Sequence, residues 1–178
     1  MASTHCIVLH RISATDWLEE SLPNEPSWRS EDTVRLAGIL AEHGVDLLDV
    51  STGGVHPKQK IKGGAAYQAP FAEAVKKAHG DKILVSTVGA ITDGPTAQAC
   101  LDKVRGCAGN IADDAEAERW TRYLQGQADA VFLGRQFQKN PGSVWQFAEE
   151  LGVTITVAHQ IEWGFKGRGK IGRKSARL

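Results

Sequence analysis

The feature that most constrains this chain is a short apolar run at residues 130–133 that breaks off at Gly134 and Arg135. A second apolar run, residues 83–88, also ends in glycine, Gly89, and a helical pattern begins soon after it. Apolar runs of this length, each closed by a turn residue, predict buried strands. A strand that ends in glycine and arginine presents a backbone N–H and a cation, a common way to bind a phosphate.

Two more apolar runs complete the pattern, so strands are predicted near residues 5–10, 45–50, 82–87 and 129–133. Near-continuous apolar strands indicate burial on both faces, hence a parallel sheet covered by helices. Two consecutive strand ends of the glycine type match the phosphate site after the last two strands of a (β/α)8 barrel. Four βα units cannot close that barrel. The predicted fold is therefore α/β, the C-terminal half of a (β/α)8 TIM barrel with an open curved sheet.

Helices are predicted after each strand from the spacing of apolar residues. Ser30 is a plausible N-cap of the first helix, and Gly44 ends it. The second helix is predicted from about residue 69 to residue 79, and the third begins near Pro95. The last is expected to bury Val144, Trp145, Phe147, Ala148 and Leu151. An additional helix is predicted within residues 104–126.

Composition excludes several classes of function. The 178 residues contain 21 basic and 21 acidic side chains, so no net field attracts nucleic acid or an anionic membrane. No apolar run reaches the length of a membrane span, and no signal peptide is evident. Cys6 is predicted to be a small buried hydrophobe, and Cys100 and Cys107 are read as reduced thiols. No metal site is predicted, and a cytoplasmic protein fits best.

Five motifs carry a family resemblance: residues 10–16, 45–54, 67–68, 88–94 and 128–135. Together and in this order they resemble the old yellow enzyme family, most closely its NADPH dehydrogenase branch of flavin-dependent ene-reductases. The resemblance runs from about residue 4 to residue 167 and covers only the C-terminal half of that family's barrel. Residues 1–167 are accordingly predicted to be one FMN-binding half-barrel, followed by a basic, disordered tail at 168–178.

The resemblance implies a non-covalent FMN, reduced by NADPH or NADH, that passes a hydride to the activated C=C bond of an enone or enal. Arg11 would lie beside the flavin pyrimidine, where a cation stabilises negative charge on the reduced ring. Gly89, Gly134 and Arg135 would hold the phosphate. Ser51 and Gly53 match the strand end that skirts the cofactor. The family's substrate clamp and proton-donating tyrosine lie in the other half, so no catalytic residue is expected here.

Three functions stay open at this point. In the first hypothesis the chain is part of an oxidoreductase. It would act within a longer protein, together with a missing N-terminal half-barrel, or as a homodimer. Alternatively it is a non-catalytic flavin-binding remnant or partner subunit. The third hypothesis is a half-barrel that binds some other phosphorylated ligand. At the place where some relatives carry a C-terminal arginine that enters the neighbouring subunit's site, this chain has Trp163.

Overall fold

The computed structural model describes residues 6–101, 126–162 and 164. Its four strands form one sheet in chain order, and every neighbouring pair is parallel. The strands are β1 (Leu9–Ser13), β2 (Leu47–Ser51), β3 (Leu84–Val88) and β4 (Ala130–Phe132). The helices are α1 (Ser30–Glu42), α2 (Ala69–His79), α3 (Gly94–Leu101), α4 (Arg135–Lys139) and α5 (Ser143–Glu150). This confirms the predicted α/β fold, a partial (β/α)8 barrel.

The main core lies between the sheet and the helices. Leu48 and Val50 of β2 and Val85 of β3 are fully buried there, against Ala37 of α1 and Val75 of α2. The two helices approach closely because α1 carries a glycine at the contact. A Cβ at Gly38 would lie 2.9 Å from the His79 ring of α2. Small residues on facing helices thus let both helices reach the sheet.

The first strand differs from its prediction. It was expected at residues 5–10 with Arg11 directly after it, but β1 spans Leu9–Ser13 and Arg11 is its central residue. The reason is long-range: β1 pairs with β2 in register from Leu9–Leu47 to Ser13–Ser51. The polar residues of β1 are therefore within the sheet. Cys6 precedes β1 and is exposed, so the prediction that it is buried was wrong.

The face of the sheet opposite the helices is only partly covered by the described residues. The middle of β2 and β3 is buried on both faces, as predicted, but the amino ends of the strands are not. Leu9 and Leu84 are 51% and 53% exposed, and Ile7 is 81% exposed. We call this the concave face. It carries the in-register rows Leu9–Leu47–Leu84 and Arg11–Asp49–Ser86.

Helix ends match the sequence where local signals decide them. The bounds of α2 are those predicted, and Gly44, with φ of +85°, follows the end of α1. Ser30 is the first residue of α1, and the N-cap position is Arg29. The prediction of the buried residues of the last helix was wrong in one respect, because Val144 is half exposed, whereas Ala148 is buried as predicted. The short helix α4 was not predicted.

Several sequence predictions lie outside the described residues. They are the additional helix predicted within 104–126, of which residues 104–125 are not described, the thiol of Cys107, the Trp163 replacement and the tail at 168–178. Within the ranges that the structure describes, no helix has the length and apolar character needed to cross a membrane.

The N-terminus of α3 supports a prediction about pH. The Thr96 N–H donates to the Asp93 carboxylate at 2.8 Å, and this bond holds the pKa of Asp93 below its usual value. We expect Asp93→Ala to lower the free energy of unfolding by about 1 kcal/mol at neutral pH, the usual worth of an N-cap. Denaturant unfolding measures the loss.

Asp93→Asn removes the charge but keeps a side chain that can cap the helix, because asparagine is also a common N-cap residue. A lowered folded-state pKa gives stabilisation that is present above the unfolded pKa, about 3.9, and is lost as the pH falls through the folded pKa. The stability difference between the wild type and Asp93→Asn should therefore shrink between pH 7 and pH 3. An equal difference at both pH values would contradict this account.

The open sheet predicts self-association. Among the described residues β1 and β4 are edge strands, and β1 and the segment before it expose apolar side chains. Unpaired strand edges with exposed apolar side chains template pairing with another chain. We expect sedimentation velocity to show oligomers that Leu9→Lys weakens. Ile39→Lys, at an exposed apolar position on α1, is the matched control and should have no effect. A monomeric wild type at high concentration would show that the edges are otherwise protected.

Candidate functional site

A cavity of about 490 Å³ lies at the carboxyl edge of the sheet, where three strands end. Ser51 is the last residue of β2, Gly89 follows β3, and Gly134 lies two residues after β4. Parallel strands end on the same edge, so their carboxyl ends meet there. The cavity brings together four of the six predicted cofactor residues: Ser51, Gly89, Gly134 and Arg135.

Gly89 is a position where only glycine fits. Its φ is +114°, and an added Cβ would overlap the side-chain nitrogen of Gln68 and lie 2.9 Å from the Tyr67 ring. The backbone after β3 is thus pressed against the residues that precede α2. The missing side chain at this point therefore permits the close packing of the two segments that line the cavity.

Backbone strain is concentrated beside the same cavity. Only three non-glycine residues among those described have positive φ, and two of them are Ala90, after Gly89, and Ala66, before Tyr67. Such conformations cost about 1–3 kcal/mol and persist where the surrounding structure imposes them, often at binding sites. The two segments that line the cavity from β3 and from the α2 side are therefore held in place by their surroundings.

Two buried polar side chains in the cavity wall lack partners within the described part of the chain. They are the Oε1 atom of Gln68 and the Oγ1 atom of Thr52. Burying an unpaired amide or hydroxyl costs about 1–3 kcal/mol, so such groups usually have a partner. A ligand that brings hydrogen-bonding groups into the cavity would provide one.

Two cations lie on this cavity. Arg135 and Lys139 are the first and last residues of α4, four positions apart, which places them on one face of a helix. Neither side chain makes an ion pair or hydrogen bond with another described residue. Cations in a concave site attract an anion, and a phosphate or a carboxylate can accept hydrogen bonds from two such donors.

Arg11 lies apart from this cavity, in the middle of β1 on the concave face. Its Nε atom donates to the buried carboxylate of Asp49, and its side chain is 57% exposed. Neighbouring strands are about 4.8 Å apart, so β1 and β4 are separated by roughly 14 Å across the sheet. The expectation that Arg11 directly follows a strand was wrong, and Arg11 does not line the cavity.

Gly53 does not line the cavity. Its φ of +88° favours glycine, and an added Cβ would lie 2.7 Å from the end of the Ile61 side chain. The glycine therefore serves the turn after β2. Gly134 has ordinary φ and no protein atom near its Cβ direction, so it leaves open surface beside Arg135.

Sequence reasoning missed several residues of the cavity. Thr52, Gln68 and Lys139 line it but were not predicted as site residues. The spacing of Lys139 from Arg135 was a usable signal once α4 is known to be a helix. Gln68 lies in one of the five family motifs, residues 67–68, but no spacing indicated its place in the site, because its contact with Gly89 joins two segments that are distant in sequence.

A second cavity, of about 420 Å³, lies between the loops after β1 and β2 and the first turn of α1. Its charges are mixed and partly paired: Lys62 bonds Glu20 at 2.8 Å, and this bond lowers the pKa of Glu20. None of the predicted cofactor residues lines it. No group of metal-ligating side chains was found among the described residues. The carboxyl-edge cavity is therefore the stronger candidate.

Comparison with known proteins finds longer relatives. The chain is 46% identical over 177 residues to an NADH:flavin oxidoreductase of Gibberella zeae, covering 95% of this chain and 37% of that protein. It is 35% identical over 156 residues to NADPH dehydrogenases of Geobacillus sp. and Geobacillus thermodenitrificans, covering 88% of this chain and 37% of each. No family model matches it. The chain thus spans little more than a third of the length of these relatives.

The contact at Gly89 can be tested by comparison with a second glycine. Gly54 also has positive φ, but no atom lies within 4 Å of its Cβ direction. We expect Gly54→Ala to cost roughly 1–2 kcal/mol from backbone strain alone. Gly89→Ala should cost a further 1–3 kcal/mol or so, because Gln68 and Tyr67 must move. Urea unfolding of both variants measures this, and equal losses would show that the Gly89 contact carries no energy.

Proposed function

We infer that the chain belongs to the old yellow enzyme family, with NADH:flavin oxidoreductases and NADPH dehydrogenases as its relatives, and we propose that it binds the phosphate end of FMN in the carboxyl-edge cavity. The observation that carries this proposal is the pair of cations, Arg135 and Lys139, which have no partner among the described residues and lie beside the backbone of Gly89. The names of the relatives mention a flavin and a nicotinamide reductant. The assignment of FMN and of these residues is ours.

The residues present fit a phosphate. Arg135 offers a planar set of N–H donors that can bind two phosphate oxygens, and Lys139 adds a point charge. The backbone at Gly89 and Ala90 lies open at the end of β3, where a barrel of this type collects phosphate ligands. Thr52 and Gln68 hold buried polar atoms without partners among the described residues, and they can hydrogen-bond the rest of the ligand.

Arg11 has a separate role in this proposal. It lies across the sheet from the phosphate residues, at the middle of β1, and would lie beside the flavin pyrimidine. A fixed cation there stabilises negative charge that develops on the ring. We therefore expect Arg11→Ala to lower the reduction potential of the bound flavin and to leave the Kd for oxidised FMN nearly unchanged, because the cation stabilises mainly the reduced ring.

When bound, FMN would supply hydride transfer from NADPH or NADH to an activated C=C bond. The chain's own residues hold the cofactor at its phosphate and pyrimidine ends. The family's substrate clamp and proton donor belong to motifs that this sequence does not contain. We therefore propose that further βα units, which complete the barrel, are needed for turnover. A non-catalytic flavin-binding subunit is the alternative.

Titration with FMN, followed by flavin fluorescence, tests the phosphate site. We expect Arg135→Ala to weaken binding by roughly 1.5–3 kcal/mol, the range for a hydrogen bond to a charged group, or about 10- to 150-fold in Kd. Arg35→Ala removes an exposed arginine from α1, far from the cavity, and is the matched control. It should leave Kd unchanged.

The outcomes separate the hypotheses. A wild type that fails to bind FMN would remove the proposal for this chain. A preference for another phosphorylated ligand would favour the generic phosphate-binding half-barrel. If FMN binds, NADPH-driven reduction of an enone by the chain alone should remain near background, and brisk turnover would show that the missing units are unnecessary.

A further inference from the structure

A carboxylate is buried in the centre of the sheet on the concave face. Asp49 is the middle residue of β2, and its side chain is 0% exposed. Its in-register neighbours are Arg11 on β1 and Ser86 on β3. Residues in register on parallel strands point to the same face. The three side chains therefore form one polar row across three strands.

Both oxygens of this carboxylate are used within the row. Arg11 Nε donates to Oδ2, and Ser86 Oγ donates to Oδ1 at 2.9 Å. Ser86 is itself fully buried. A buried carboxylate is stable as an ion only when it is paired and hydrogen-bonded. The carboxylate of Asp49 thus has Arg11 as its ion-pair partner, and the direction of the Arg11 side chain depends on Asp49.

The ion pair uses only one end of the guanidinium group. Arg11 bonds Asp49 through Nε, while its two terminal nitrogens have no hydrogen bond to another described residue. Those nitrogens carry four of the five N–H donors of an arginine. The side chain is also more than half exposed. It is therefore anchored at one point and open to a ligand elsewhere.

We propose that Asp49 is a positioning residue, supported by Ser86, that fixes Arg11 on the concave face with its terminal nitrogens directed to a ligand. This inference rests on the proposed function, in which that ligand is the pyrimidine end of FMN. A serine and an aspartate inside the sheet thereby set the orientation of the arginine that contacts the cofactor.

The test uses the full chain labelled with ¹⁵N and the side-chain Nε–H signals of its arginines. Arg11→Lys identifies the Arg11 signal by its loss. We expect this N–H to exchange with water at least tenfold more slowly than that of the exposed Arg35, because Asp49 accepts it inside the sheet. An Arg11 signal that exchanges as fast as that of Arg35 would overturn the proposal.

Asp49→Asn retains the size of the side chain but removes its charge, and leaves one acceptor oxygen where Ser86 and Arg11 each use their own. We expect the exchange of the Arg11 Nε–H to become at least several-fold faster while the backbone amide spectrum stays native. Ser86→Ala keeps the ion pair and should raise the exchange rate several-fold, so it serves if Asp49→Asn does not fold. Unchanged exchange in a folded variant of either kind would contradict the positioning role.

Addition of FMN tests the ligand part separately. In the wild type FMN should shift the Arg11 side-chain signal, and in Asp49→Asn it should not, although fluorescence shows both proteins saturated. Saturation without a shift in the wild type would remove Arg11 from the site. If the wild type does not bind FMN at all, the proposed function fails, while the exchange data still decide whether Asp49 orders Arg11.

Discussion

The parallel register of the four strands is the constraint on which the site depends. Because every strand runs in the same direction, the residues that follow β2, β3 and β4 reach one edge of the sheet. Ser51, Gly89 and Gly134 come from distant parts of the sequence and meet there for this reason. The described helices cover one face of the sheet. The concave face, on the other side, is left for a ligand or for further βα units.

The concave face is divided along the strands. Its amino end exposes Leu9 and Leu84, which are apolar, and its middle carries the ionic row of Arg11, Asp49 and Ser86. Exposed leucines on a sheet are costly in water, so covering the apolar end would stabilise the protein. In the proposed function the polar middle serves the ligand, so packing and binding would use different rows of the same strands.

The relatives place these features in a larger protein. They align with nearly all of this chain over only 37% of their own length. The carboxyl-edge cavity and Arg11 belong to the shared part. In the proposed function, the groups that bind the cofactor's phosphate and the cation beside its ring are therefore carried by the same four βα units.

Sequence by itself determined the elements whose signals are local. Apolar runs located β2, β3 and β4 to within about two residues, and the apolar stripe of α2 gave its bounds. Glycine after a strand indicated the cavity edge correctly at Gly89, where φ is positive and no Cβ fits. These features depend on the preferences of a few neighbouring residues.

Tertiary structure decided what depends on pairing between distant segments. The register of β1 on β2 moved Arg11 from the predicted strand end to mid-strand and set it against Asp49. The packing of residues 67–68 against Gly89 made Gln68 part of the cavity, and α4 brought Lys139 beside Arg135. Local patterns carry no information about register or about which loops meet, because both are fixed by the free energy of the assembled sheet and its packing.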